Sequence, residues 1–288
     1  MEKLIDLHTH SRFSDGSMTP TELVTHAKES GIAAIALSDH DGVDGVREAM
    51  EVGARLGVEV IPAIEFSVVS DTETHILGYF INPDSPAIAE AMEKIYEARE
   101  YRADVTLAKL NELGFPITKE EVRAVAGGAL ICRAHYARVL QDKGLVGSVK
   151  EAFDTYLANG RPAYCGKQAI TAEEAIDLIH RSGGIAFVAH LHLIRLSDEE
   201  LYAFLGRLKA VGLDGIEGYY TEYTPEMQEK FRAMAEDLGL ILSGGTDFHA
   251  AMKPHIAIGR GTGDLRIPYS VLENMKNYYK NKKEGTCK

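Results

Sequence analysis

Nine residues of this 288-residue chain have the types and spacing of a metal site, and all of them belong to short motifs. His8 and His10 stand two apart, and Asp15 follows in the same stretch, HTHSRFSDGS. His40 lies in LSDHDG, Glu65 in IPAIEFS, His75 before ILGYF, His190 in VAHLH, and Asp247 and His249 in GGTDFH. One histidine on a strand is ordinarily a hydrogen-bonded core residue. Six imidazoles and three carboxylates gathered together would instead leave unpaired charge and unmet hydrogen bonds unless cations joined them. Imidazole with carboxylate and no thiolate suits Zn, Mn or Fe(II), is too rich in nitrogen for a dedicated calcium site, and lacks the sulfur of a structural zinc site. Nine ligands exceed one coordination sphere. Two or three divalent ions bridged by a carboxylate such as Glu65 would use them all, and ions ~4 Å apart suit phosphoryl transfer by clamping both the attacking and the leaving oxygen.

Residues so far apart in sequence must be gathered by the elements that carry them. Apolar runs at 3–9, 33–40, 59–68, 75–81, 184–190, 215–220 and 240–249 read as strands, alternating with amphipathic stretches in the pattern of βα units around a parallel sheet. Thr19 with Glu22, Thr171 with Glu174 and Ser197 with Glu200 have helix-capping spacing. The expected fold is α/β: a distorted seven-stranded (β/α) barrel, with an open doubly wound sheet as the alternative. In such a barrel the C-terminal strand ends share one mouth, where the nine residues would meet. Six neutral imidazoles and three carboxylates carry −3 there, which two divalent ions would turn to +1 and three to +3.

The alternation fails between about 85 and 165, where Ser85-Pro86 opens a long helix and Thr118 with Glu121 forms another cap. The expected organisation is a barrel from 1–84 and 166–288, with 85–165 a helical insertion over the active site. The lysine-rich tail from Lys276 is expected to be frayed, His26 and His180 to be structural, and Glu217 to accept a hydrogen bond from a ligating histidine. No phosphate-loop spacing and no G-x-S-x-G elbow is present.

A net charge of −12 disfavours long nucleic acid and anionic membranes as partners. Cys132, Cys165 and Cys287 form no CxxC pair and read as two core thiols and a tail thiol in a reducing compartment. With no apolar run of membrane-spanning length, the expected location is the cytoplasm. The oligomeric state is left open.

Together, HTHSRFSDGSMTP, LSDHDGVDG, IPAIEFS, the Ala189-His190 strand end and GGTDFH resemble the polymerase and histidinol phosphatase (PHP) superfamily of metal-dependent phosphoesterases. The resemblance implies that His8, His10, Glu65 and Asp247 hold one ion, Asp15, His40 and His249 a second, and Glu65, His75 and His190 a third. Hydroxide between two ions would be the nucleophile, with no side-chain base. The helical insertion resembles that of bacterial enzymes removing the 3′-phosphate from nucleoside 3′,5′-bisphosphates, whose relatives trim short RNA. It implies that Arg99, Arg102, Arg133 and His135 contact the substrate, with Asp15 and His40 also near it. Relatives commonly continue His-Pro where this chain has His190-Leu191-His192, so His192 could replace or supplement His190. The alternatives are a histidinol-phosphate-type phosphatase and a catalytically silent nucleotide-binding module.

Overall fold

The computed structural model describes residues 3–127, 131–166 and 169–285. Seven strands form one sheet in chain order: β1 (Leu4–Thr9), β2 (Ile32–Leu37), β3 (Glu59–Ser67), β4 (His75–Tyr79), β5 (Ile185–Val188), β6 (Gly215–Tyr220) and β7 (Ile241–Gly245). Helices α1 (Pro20–Glu29) and α2 (Val46–Leu56) form the first two crossovers. After β4 come α3 (Pro86–Glu112), α4 (Lys119–Ala126), α5 (Arg133–Asp142) and α6 (Val149–Ala152), the last continuing into a π turn at Phe153–Leu157. Then follow α7 (Ala172–Arg181), α8 (Asp198–Ala210), α9 (Pro225–Leu238) and α10 (Tyr269–Lys283). The capping boxes at Thr19, Thr118, Thr171 and Ser197 all form, each satisfying two backbone N–H groups that a helix start leaves unpaired.

The sheet is not wholly parallel, as the strand pattern suggested. β4 runs antiparallel to both β3 and β5, while the other neighbours pair parallel. A parallel connection needs a crossover of a dozen or more residues, and only residues 68–74 separate β3 from β4, so the chain turns back. The reversal matters for the site. It sets His75, the first residue of β4, opposite Ser67 at the C-terminal end of β3.

The barrel closes between β1 and the segment after β7. The His10 N–H donates to Phe248 O at 2.9 Å, and the Phe248 N–H to His8 O at 3.3 Å. A Cβ on Gly245 would lie 2.2 Å from the His8 Cβ, so the close approach of these two backbones requires glycine. Asp6 ties the same seam, accepting from the Thr246 N–H at 2.9 Å, the Thr246 hydroxyl at 2.6 Å and the Gly259 N–H at 2.7 Å. Leu7, Leu77, Tyr79 and Phe187 are fully buried in one cluster with Leu272 and Met275 of α10. Leu23, Val24, Ile35 and Val52 pack between α1, α2 and the sheet.

The chain divides into two compact units, Met1–Ala91 with Ile170–Lys288, and Met92–Ala169. The second has its own core, built on Leu110, Val122, Tyr136, Leu140 and Leu157. The lysine-rich end is held in place as far as it is described, to residue 285. Lys276 pairs with Glu59, Lys282 with the buried Asp214, and Met275 is fully buried, so α10 is docked through its last turn. Cys132 and Cys165 are half-buried rather than core thiols, and Cys287 lies outside the described residues. No helix among the described residues is long and apolar enough to cross a membrane.

Candidate metal centre

His8 near the end of β1 and His10 just past it turn to the same side, toward Glu65, and both are fully buried. Glu65, also fully buried, lies among five imidazoles. Its Oε2 is 3.3 Å from Nε2 of His8, 3.3 Å from Nε2 of His10 and 3.0 Å from Nδ1 of His40. Its Oε1 is 3.0 Å from Nδ1 of His75 and 3.1 Å from Nε2 of His190. Asp247 Oδ1 lies 3.1 Å from Nε2 of His10, 3.5 Å from Nε2 of His8 and 3.4 Å from Nδ1 of His249. Asp15 completes the edge, 3.0 Å from Nε2 of His249 and 3.9 Å from Nε2 of His40. Three groups have ligand atoms close enough to share an ion: His10, Asp15, His40 and His249; His8, His10 and Glu65; and His40, Glu65 and His75. All nine residues singled out in the sequence therefore converge.

The donor atoms fit cations. Nε2 of His8, Nε2 of His10, Nδ1 of His40 and Oε2 of Glu65 are buried and have no hydrogen-bond partner, and the same holds for Nδ1 of His190, whose Nε2 faces Glu65, and for Nδ1 of His192 outside the centre. Orphaned buried polar atoms are rare, and here those of His8, His10 and His40 gather around the Glu65 carboxylate. The proton affinities tell the same story. Burial works against charge on His8, yet Glu65, Glu217 and Asp247 outweigh it and raise its pKa well above the usual value. Burial also opposes charge on His40, but Glu65 lifts it to about 9. Burial, with His249 and His40 beside it, holds His10 at about 3, and burial holds His75 at about 4 despite Glu65. The carboxylates thus draw positive charge toward His8 and His40, charge that divalent ions would otherwise supply.

A second layer of contacts aims these side chains. Glu217, fully buried, places Oε1 3.0 Å from Nδ1 of His8 and accepts the His190 N–H on Oε2 at 2.8 Å. Asp39 accepts from the Ser11 N–H, the Ser11 hydroxyl and the Ser14 hydroxyl, each at 2.7 Å, and so orders the loop that carries Asp15. Asp247 Oδ2 accepts from the Tyr220 hydroxyl at 3.0 Å and the Lys253 ammonium at 2.6 Å. His190 (φ 25°) and Asp247 (φ 57°) both lie at positive φ, a strain of ~1–3 kcal/mol each that surrounding structure must hold. Asp39, Tyr220 and Lys253 went unnoticed in the sequence. For Asp39 the signal was its place beside His40, whereas Lys253 sits four residues past His249 with nothing to mark it.

A PHP domain profile matches residues 6–238. The chain belongs to the PHP domain family. It is 36% identical to a 3′,5′-nucleoside bisphosphate phosphatase of Chromobacterium violaceum, over 85% of this chain and 87% of that protein. It is 34% identical to the 5′-3′ exoribonuclease Rnm of Escherichia coli, over 89% of this chain and 88% of that protein. A solved structure of an amidohydrolase from Chromobacterium violaceum, with bound sulfate and no metal, superposes with a TM-score of 0.81 at 32% identity, covering 95% of this chain and 96% of that one.

In this PHP chain His192 does not join the centre. Its Nε2 pairs with Glu222 at 3.0 Å, and its ring packs on Tyr220 and Tyr223. Arg99, Arg102, Arg133 and His135 all belong to the second unit. Arg133 is exposed, with its guanidinium 5.5 Å from the Tyr164 ring centroid and 5.9 Å from that of Phe153. His135 caps α5 from within, its Nδ1 accepting the Cys132 N–H at 3.1 Å. His180 pairs with Asp214 and His26 stacks on Phe248, both structural contacts.

Proposed function

We propose that this protein is a metal-dependent phosphomonoesterase that removes the 3′-phosphate from nucleoside 3′,5′-bisphosphates, leaving the 5′-monophosphate. Membership of the PHP family makes it a hydrolase of phosphate esters. The observation that carries the metal dependence is the ring of orphaned nitrogens around Glu65. His8, His10, Glu65 and Asp247 would hold one ion, Asp15, His40 and His249 a second, and Glu65, His75 and His190 a third, with Mn, Zn or Fe the candidates by ligand chemistry. When bound, such ions bring water toward neutral pKa and neutralise phosphoryl oxygens.

The chain's own residues do the rest. With ions bound, Glu217 would keep the proton on Nδ1 of His8 and leave the Nε2 lone pair for the centre. Asp39 fixes the loop bearing Asp15, at the exposed side of the site beside His40. Arg99, Arg102, Arg133 and His135 are assigned to the 5′-phosphate and nucleoside, on the resemblance of the R-x-x-R and RAH motifs. Guanidiniums three apart share a helix face and can fork onto one phosphate. The exoribonuclease relative favours a second reading, in which short RNA oligonucleotides are also substrates.

The test is phosphate release by Mn-loaded protein from adenosine 3′,5′-bisphosphate, histidinol phosphate and short RNA. The bisphosphate is expected to be the best substrate. In Arg99→Ala with Arg102→Ala, KM should rise at least about tenfold more for the bisphosphate than for a simple monophosphate, the loss of a charge-assisted contact. Release from histidinol phosphate alone, or equal effects on both esters, would overturn the substrate assignment.

A further inference from the structure

Among the described residues, the centre contains one ammonium that the metal assignment does not use. Lys253 is delivered by a single 3-10 turn, Ala250–Met252, directly after His249. Ala250 sits at φ 54°, and the Lys253 N–H donates to Ala250 O at 3.1 Å, so the turn has a defined course. Nζ lies 2.6 Å from Asp247 Oδ2, the carboxylate oxygen not directed at His8 and His10. The negative charges of Asp15 and Glu65 act on the same ammonium.

Two features separate Lys253 from a lysine that merely neutralises Asp247. The first is exposure. Its side chain is 36% exposed, whereas that of Asp247 is 8% exposed and those of His8 and His10 are fully buried, so the ammonium sits where the centre meets water. The second is unused capacity. An ammonium has three N–H donors, and among the described residues one is spent, on Asp247. Asp247 is moreover served twice on that oxygen, since the Tyr220 hydroxyl donates to it at 3.0 Å. A lysine with free donors at the wet edge of a cation-demanding centre is suited to an anion that arrives from solvent and ends beside Asp247.

We propose that Lys253 contacts a non-bridging oxygen of the substrate's phosphoryl group, holding Asp247 with one N–H and the phosphate with another. This rests on the phosphomonoesterase reading and adds a substrate-contacting residue to it. The contact is with the phosphoryl group common to all phosphate monoesters, so Lys253 acts on every such ester alike, unlike Arg99 and Arg102.

The probe is inorganic phosphate, titrated by calorimetry into Mn-loaded wild type, Lys253→Met and Lys253→Arg, with bound metal counted by elemental analysis. Met keeps the apolar stem and removes the charge. Lys253→Met should retain its metal content, bind phosphate about 10- to 100-fold more weakly, and raise KM for the bisphosphate and for a simple monophosphate by similar factors, with Lys253→Arg recovering part of the loss. Unchanged phosphate affinity, or a loss of phosphate binding that follows a loss of metal, would assign Lys253 to Asp247 alone and overturn the proposal. A second readout needs no variant: saturating phosphate should shield Lys253 of the Mn-loaded wild type from amine acylation, mapped by mass spectrometry. Undiminished acylation counts against the contact. If wild type hydrolyses no ester yet binds phosphate through Lys253, the enzymatic reading falls and this contact stands. Active wild type with an indifferent Lys253→Met gives the reverse.

Discussion

A histidine can offer a metal only the nitrogen that carries no proton, and the choice is made by the atom facing its other nitrogen. For His8 that atom is Oε1 of Glu217, 3.0 Å from Nδ1, while Oε2 of the same carboxylate takes the His190 N–H. Glu217→Gln keeps the shape and breaks this logic. If the amide oxygen takes the His190 N–H, the amide NH2 meets Nδ1 of His8 and forces the ring proton onto Nε2, toward Glu65. Turned around, the NH2 confronts the His190 N–H. The first orientation removes the Nε2 lone pair from the centre, and the second sets two donors face to face in a fully buried place. Glu217→Gln should weaken metal binding on the order of 10- to 100-fold in competition with a chelator, with the fold retained by circular dichroism. Wild-type metal affinity in a folded variant would show that Glu217 does not set the His8 tautomer.

The loop between β1 and α1 shows what an element adds to its residues. It carries Asp15 at the exposed side of the centre and hangs from the end of β2 through Asp39, which accepts three hydrogen bonds from Ser11 and Ser14. Burial outweighs those donors and raises the Asp39 carboxyl pKa, so the loop is held at the cost of a desolvated acid. Asp39→Ala strands the Ser11 N–H, a loss of ~1–3 kcal/mol, and frees the loop. The ion proposed for Asp15, His40 and His249 should then bind at least about tenfold more weakly, while the ion proposed for His8, His10, Glu65 and Asp247 is retained; metal titrations resolving the two classes check this, and equal weakening of both would contradict it. Strand ends were legible because His8 with His10, and Asp247 with His249, share period-two spacing with the apolar runs beside them. The direction of β4 was not. A strand reads alike in both directions, and only the short stretch from 68 to 74 hinted that no crossover helix could fit. His75 reaches the centre through that reversal. Asp247 and His249 lie beyond β7, which ends at Gly245, so the positive φ of Asp247 rather than strand pleat aims them.

At the scale of the whole molecule, the acidic balance of −12 is answered locally by buried knots of opposite charge. Asp214, with 1% of its side chain exposed, joins four elements of the barrel unit. It accepts from the Ala186 N–H of β5 at 2.9 Å and the Tyr278 hydroxyl of α10 at 2.8 Å, lies 2.8 Å from Nε2 of His180 on α7, and pairs with Lys282 of α10, itself immediately preceding β6. The sequence pointed to a structural His180 and a frayed tail but did not pair them, because His180 and Lys282 stand 34 and 68 residues from Asp214. Burial opposes ionisation of Asp214, but His180, Lys282 and the Ala186 N–H outweigh it and hold the carboxyl below the usual carboxylate range. A depressed folded-state pKa contributes stability that is fully present above the unfolded value of ~3.9 and is lost as pH falls through the folded value. Asp214→Asn should therefore cost on the order of 2 kcal/mol at pH 7. That is less than the ~3–5 of a fully buried pair, since Lys282 keeps 33% and His180 26% of the side chain in water. Lowering the pH should close the gap, because the wild-type carboxyl becomes protonated too. Urea midpoints of wild type and variant at pH 7, 4 and 3, read in the transition of the barrel unit, test the point. A gap as wide at pH 3 as at pH 7 would mean that hydrogen-bond shape rather than charge at Asp214 docks α10.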